Sequence, residues 1–144
     1  MKIIYFCENK DNIPRIFGTQ ELVFTKTDVL RDPDSFQDTQ YLFSTWGMPV
    51  FTEEEIRACF PSLKAIFYAA GTVQQFARPF LNCGVKVFSA WAANAVPVAE
   101  YTVAQIVLAN KGFFTHSREM KKGNREAGKI MKAAYPGNYG ENVG

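Results

Sequence analysis

At 144 residues the chain has the size of one ordinary domain and enough length to bury a core. Apolar residues make up 47% of it and aromatics 15%, which excludes a disordered chain. A formal charge of +2, with no block of like charges, excludes an electrostatic footprint for nucleic acid or an acidic membrane surface.

Lys2 to Cys7 is rich in β-branched and aromatic residues and closes on the polar cluster Glu8 to Asn12, the pattern of a strand followed by a loop. The segment lacks the length and cleavage site of a signal peptide. Glu21 to Phe24 is a weaker strand pattern, and Gln40 to Thr45 a third strand, closed by Trp46-Gly47. Thr52-Glu53-Glu54-Glu55 has capping-box spacing, a hydroxyl followed three residues on by a carboxylate. It predicts a helix to Phe60, stopped by Pro61. Lys64 to Tyr68 is a fourth strand, running into Ala69-Ala70-Gly71; a helix over Val73 to Leu81 and a fifth strand over Val85 to Phe88 follow.

Strands alternating with helices at this pitch predict an α/β fold with a doubly wound parallel sheet. Parallel strands covered on both faces read as unbroken apolar runs, as Ala65 to Tyr68 does. Ligands of such sheets lie beyond the carboxyl ends of the strands, so the loops after Cys7, Thr45, Tyr68 and Phe88 are the ones to watch.

Pro97 fits the first turn of a further helix, and Glu100 suits the positive end of its dipole. Beyond them Val98, Ala99, Val103, Ala104, Ile106, Val107, Leu108 and Ala109 leave almost no polar stripe. Such a helix is expected to be buried on most sides, against a second domain or another subunit. From Thr115 the chain turns polar. Lys121 to Lys129 reads as a helix with weak ends or a helix–loop–helix, and Tyr135 to Gly140 as a turn-rich connection.

Three segments in order, Leu63 to Val73, Gly84 to Phe88 and Asn94 to Tyr101, carry a family resemblance. They resemble the substrate domain of D-isomer-specific 2-hydroxyacid dehydrogenases, over about residues 40–144; the Asn94-to-Glu100 element is the most specific piece. The resemblance implies a flavodoxin-like, five-stranded substrate-binding domain over residues 1–93. A long apolar interdomain helix and an extended arm over 94–144 would follow. It implies an NAD(P)-dependent oxidoreductase acting on the CH–OH group of a D-2-hydroxy acid, or reducing the 2-oxo acid, as a homodimer. The chain stops at Asn142-Val143-Gly144, where the first strand of the family's nucleotide-binding domain would begin. The cofactor's glycine-rich loop and the catalytic His, carboxylate and Arg are therefore expected outside this chain, which alone should be inactive and bind neither NAD nor NADP.

In the family, main-chain amides of the small-residue loop hold the substrate carboxylate. That loop maps to Ala70, Gly71 and Thr72, and small side chains do let amides approach an anion closely. The family often has two glycines followed by an acidic residue, whereas this chain has Ala69-Ala70-Gly71-Thr72-Val73-Gln74, so the donor is open by one position. Read without the resemblance, Gly71 is a turn after a strand. Asn94 resembles a residue that faces substrate and nicotinamide; it also suits a helix cap, and one side chain can serve both. Glu100 matches a family Glu but reads as structural.

Trp46 stands at the ligand-bearing edge, as a pocket wall or, by the reading its size favours, a core aromatic. Trp91 replaces a position often Pro in the family and is a second pocket-wall candidate. His116 has no family counterpart and reads as a surface residue. Cys7 and Cys83 read as small core hydrophobes. With Cys59 the cysteines are odd in number and lack a CxxC pair, which builds neither a disulfide framework nor a metal site. A reducing, cytoplasmic setting follows, and with no long apolar run in the sequence no membrane is expected.

Two rivals share the architecture and fail on residues. A phosphorelay receiver needs an acidic pair after strand one, an Asp ending strand three and a Lys ending strand five; here Glu8 stands alone, and Thr45 and Ser89 occupy the other two. A flavodoxin needs a phosphate loop where Glu8 to Asn12 places negative charge. A free-standing, non-catalytic interaction module stays open as the alternative; its apolar helix would need a covering partner.

Overall fold

A computed structural model describes residues 1–7, 23–126, 129, 134, 135 and 137–143. The loop expected at Glu8 to Asn12 and the first half of the strand expected at Glu21 lie outside them. The chain forms two compact units, Met1–Asn94 and Ala95–Gly144.

In the first unit five strands pair in parallel: β1 (Lys2–Phe6), β2 (Val23–Phe24), β3 (Thr39–Ser44), β4 (Ala65–Tyr68) and β5 (Lys86–Ser89). Their order, β2-β1-β3-β4-β5, is the flavodoxin-like one, with its switch point between β1 and β3. Among the described residues three helices flank the sheet: α1 (Lys26–Arg31), α2 (Glu53–Cys59) and α3 (Ala77–Asn82), with a 3₁₀ turn at Pro33–Phe36.

Alternation along the strands sorts the side chains to two faces. Ile4, Phe6, Leu42 and Ile66 are buried in one core with Val29, Phe36, Phe51, Ile56, Phe60 and Phe80. Edge-on phenylalanines fill it, Phe51 lying 5.7 Å from Phe60 and 5.9 Å from Phe80 between ring centres. On the other face Tyr5, Phe43, Phe67 and Phe88 fall in register across four strands. Their rings form a row, Phe43 stacked on Phe67 at 5.0 Å and Phe67 on Phe88 at 5.2 Å. The unbroken apolar run of β4 therefore does not mean full cover on both sides, because Phe67 remains 36% exposed.

Helix α2 forms as its cap predicts: the Glu55 amide donates to Thr52 Oγ1 and the Thr52 amide to Glu55 Oε2 at 2.8 Å. Helix α1 was not foreseen, although Thr25 and Asp28 close a capping box of the same spacing. Helix α3 starts at Ala77, four residues later than Val73, because a helix from Val73 would place Pro79 past its first turn. There the ring would crowd the Gln75 carbonyl, whereas a start at Ala77 keeps Pro79 among residues whose amides need no partner.

The long helix, α4 (Trp91–Asn110), starts earlier than expected, its first bond running from the Asn94 amide to the Ala90 carbonyl at 2.9 Å. Three expectations are corrected by this start. Asn94 is not the cap, Pro97 lies inside the helix, and Glu100 stands in the third turn, too far along to meet the dipole's positive end. None of the residues of α4 is fully buried within this chain. By length and composition alone this 20-residue helix, with an 18-residue window of mean hydropathy 1.2, is long and apolar enough to cross a bilayer.

In the second unit α5 (Phe113–Lys121) follows a turn at Gly112, whose φ of 69° favours glycine. A side chain there is also blocked in space, since its Cβ would fall 2.3 Å from the Tyr135 ring. The Tyr135 hydroxyl donates to Thr115 Oγ1 at 2.9 Å and the Gly137 amide to the Asn110 carbonyl at 3.2 Å. The described residues of the expected connection thus fold back on the turn.

Candidate functional site

Two ladder bonds continue past the strand ends: the Ala69 amide donates to the Ser44 carbonyl at 2.8 Å, and the Ala90 amide to the Tyr68 carbonyl at 2.9 Å. They tie the chain entering the loop Ala70-Gly71-Thr72 to both neighbouring strands at the carboxyl edge of the sheet. The Ser89 hydroxyl lies within hydrogen-bond distance of two loop carbonyls, Ala70 at 3.0 Å and Gly71 at 2.5 Å, which share its single proton. Among the described residues, nothing accepts a hydrogen bond from the amides of Ala70, Gly71 or Thr72. Ala70 is completely buried, so ligand-accessible donors come down to half-buried Gly71 and exposed Thr72.

The structure brings Gly71 and Asn94 together. A Cβ on Gly71 would lie 3.2 Å from Asn94 Nδ2, so the carboxamide would have to yield to any side chain at that position. Absence of a side chain here serves close approach. Asn94 is half-buried in the first turn of α4. The donor set is neutral: two main-chain amides and a carboxamide, with no Asp, Glu, His, Lys or Arg in the four residues after β3, β4 or β5. Such a set binds a small anion by hydrogen bonds without itself titrating.

A groove of about 320 Å³ reaches the loop's flanks, lined by Phe43, Phe67, Tyr68, Ala69, Phe88, Ser89 and Ala90. Burial pushes the Tyr68 phenol above its ordinary range, which keeps it protonated. The wall is thus aromatic and uncharged.

The other predicted residues differ in exposure. Trp46 is 60% exposed, which corrects its reading as a core aromatic: the chain turns at Gly47, with φ of 86°, and the Cys7 thiol donates to the Trp46 carbonyl at 3.6 Å. Trp91 is 68% exposed at the start of α4. His116 is exposed on α5. Cys7 is buried and Cys83 packs against the core, as small hydrophobes do. Ser89 was missed by sequence reasoning. Its only signal is a hydroxyl at the end of an apolar strand.

The described residues do not fit a dinucleotide. Among the described residues no glycine-rich turn opens a long helix, and no carboxylate follows β3, β4 or β5 to hold a ribose. Nor do three His, Cys, Asp or Glu side chains gather there as metal ligands.

No family model matches the chain, and no curated protein matches it. Among solved structures it is similar to an NAD-dependent formate dehydrogenase from Staphylococcus aureus, solved in complex with NAD. The TM-score is 0.59 at 16% identity, over 85% of this chain and 41% of that one. The likeness is one of fold: a five-stranded, all-parallel sheet with flanking helices. The chain spans less than half the length of that protein.

Proposed function

We propose that this chain is the substrate-gripping part of an NAD(P)-dependent oxidoreductase acting on the CH–OH group of a small D-2-hydroxy acid, or reducing the matching 2-oxo acid. One observation carries the reading: the Gly71 and Thr72 amides have no acceptor among the described residues, and the Asn94 carboxamide stands beside Gly71, at the sheet edge where ligands of this fold sit. The neighbour in fold is named for formate, also a small carboxylate, and for NAD.

In this reading the chain binds and orients the acid. NAD or NADP and the groups that move the proton belong to residues outside this chain, in keeping with its 41% span of the neighbour. Helix α4 would be covered by a second copy in a cytoplasmic homodimer. Asn94 and Gln105 share one side of that helix, while Glu100 and Asn110 stand on two others, which favours a protein partner over lipid.

The test is a titration of the ¹⁵N-labelled protein with oxamate, an unreactive mimic of a 2-oxo acid. The expected result is movement of the Gly71 and Thr72 amide resonances and of the Asn94 side-chain resonance. Gly71→Ala, which crowds the carboxamide, should weaken the effect. Shifts confined to other residues would count against the substrate reading. A protein that ignores oxamate yet pairs through α4 would instead be the interaction module.

A further inference from the structure

Resting on that reading, we infer that Ser89 is a positioning residue for the anion site: its hydroxyl aims the Gly71 and Thr72 amides at the ligand. Ser89 ends β5 in register with Tyr68 of β4, and the loop it touches leaves the end of β4. Its hydroxyl meets two successive carbonyls, Ala70 and Gly71.

A trans peptide unit is planar, and its carbonyl points opposite to the N–H of the next residue. The described peptide bonds are all trans. The Ala70 carbonyl shares a plane with the Gly71 amide, and the Gly71 carbonyl with the Thr72 amide. A hydroxyl whose one proton is shared by the two carbonyls holds both on the β5 side and therefore turns both amides away from it. Those are the two accessible donors that lack acceptors among the described residues.

The restraint matters because of what surrounds it. Gly71 sits between the two planes, and a glycine lets a neighbouring peptide plane rotate with little steric penalty. Without the Ser89 bond each amide spends time facing the wrong way, and an anion must pay to select the right orientation. Ser89 has no need to touch substrate. It acts through the loop.

The test compares Ser89→Ala, which removes the hydroxyl, with Ser89→Thr, which keeps it, by NMR and by oxamate affinity. Ser89→Ala should broaden or double the Gly71 and Thr72 amide resonances and weaken oxamate binding about tenfold, the loss expected when one charge-assisted hydrogen bond is misaligned. Ser89→Thr should restore single resonances and near-native affinity, which a purely structural loss of packing would not explain. Should Ser89→Ala fail to fold, Ser89→Cys, similar in size but a poorer donor, carries the same expectation with a smaller effect. Native affinity and unchanged loop resonances in the variant without the hydroxyl would overturn the proposal. If the wild-type protein binds no oxamate, the substrate reading falls. Ser89 is then judged on the loop resonances alone, doubling supporting its role in aiming the amides and native spectra refuting it.

Discussion

Helices α2 and α4 both carry apolar side chains, yet they stand in opposite relations to the rest of the molecule. The shorter, Glu53–Cys59, has a closed capping box, an ion pair between Arg57 and Glu53, and two apolar residues three apart, Ile56 and Cys59, both buried. The longer, Trp91–Asn110, has far more apolar surface, yet none of its residues is fully buried and only Ile106 and Leu108 among its apolar side chains are half-buried. Burial is thus decided by the partner a helix meets. Apolar content only says how much there is to lose by not meeting one.

Truncation should separate the two most sharply. Ile56→Ala removes a fully buried side chain and should cost about 2–5 kcal/mol in denaturant unfolding. Val103→Ala, on the exposed surface of α4, should change stability by no more than about 0.5 kcal/mol. If Val103→Ala instead lowers the melting temperature in a concentration-dependent way, a second copy covers α4, and the contrast lies between two kinds of partner. Thr52→Ala opens the capping box and should cost about 1 kcal/mol. No cap of that kind starts α4, so Ala90→Ser should gain stability by supplying one; an unchanged or lower stability would show that the first turn is held otherwise.

The same contrast explains what the sequence displayed. The core strands were legible because apolar runs between turn residues have few alternatives, and α2 because its cap is spelled by two residues. The same spelling at Thr25 and Asp28 was overlooked, since the segment behind it is six residues long and only Val29 is buried. The start of α4 was misplaced because Ala90 carries no capping side chain, while Pro97 offered a false one. In the loop, Gly71 announces a close approach but not what approaches it. That the neighbour is Asn94, and that Ser89 holds the carbonyls, are facts of three-dimensional placement with no period or spacing to betray them.

Acid should loosen the capped side of this contrast first. Glu55 is held below its ordinary value of 4.5 by the Lys26 ammonium at 2.7 Å and then by the Thr52 amide. Glu53 is held low by Asn82 and then Arg57, and Asp38 by Lys2. A carboxylate with a depressed folded pKa contributes its full share above the unfolded value and loses it as the pH falls through the folded one. The melting temperature should therefore hold steady above about pH 5 and drop below about pH 4. Lys26→Met should flatten part of that drop by removing the partner of Glu55. An identical acid profile in the variant would show that the ion pair contributes nothing.

Smaller still is the effect expected at Thr45, whose buried hydroxyl has no hydrogen-bond partner among the described residues. Thr45→Val keeps the shape and removes an unsatisfied group, so stability should stay level or rise by up to about 1 kcal/mol. A clear loss would reveal an acceptor for that hydroxyl. At the anion site the expected effect of pH is none at all. Main-chain amides and a carboxamide do not ionise, and oxamate keeps its single negative charge across the neutral range. Affinity measured from about pH 5 to pH 9 should be flat if Gly71, Thr72 and Asn94 are the whole grip. A fall in affinity near neutral pH would mean that a histidine or an amine takes part. The donor set described at the end of β4 would then be only half of the site, with a cation supplied from elsewhere completing it.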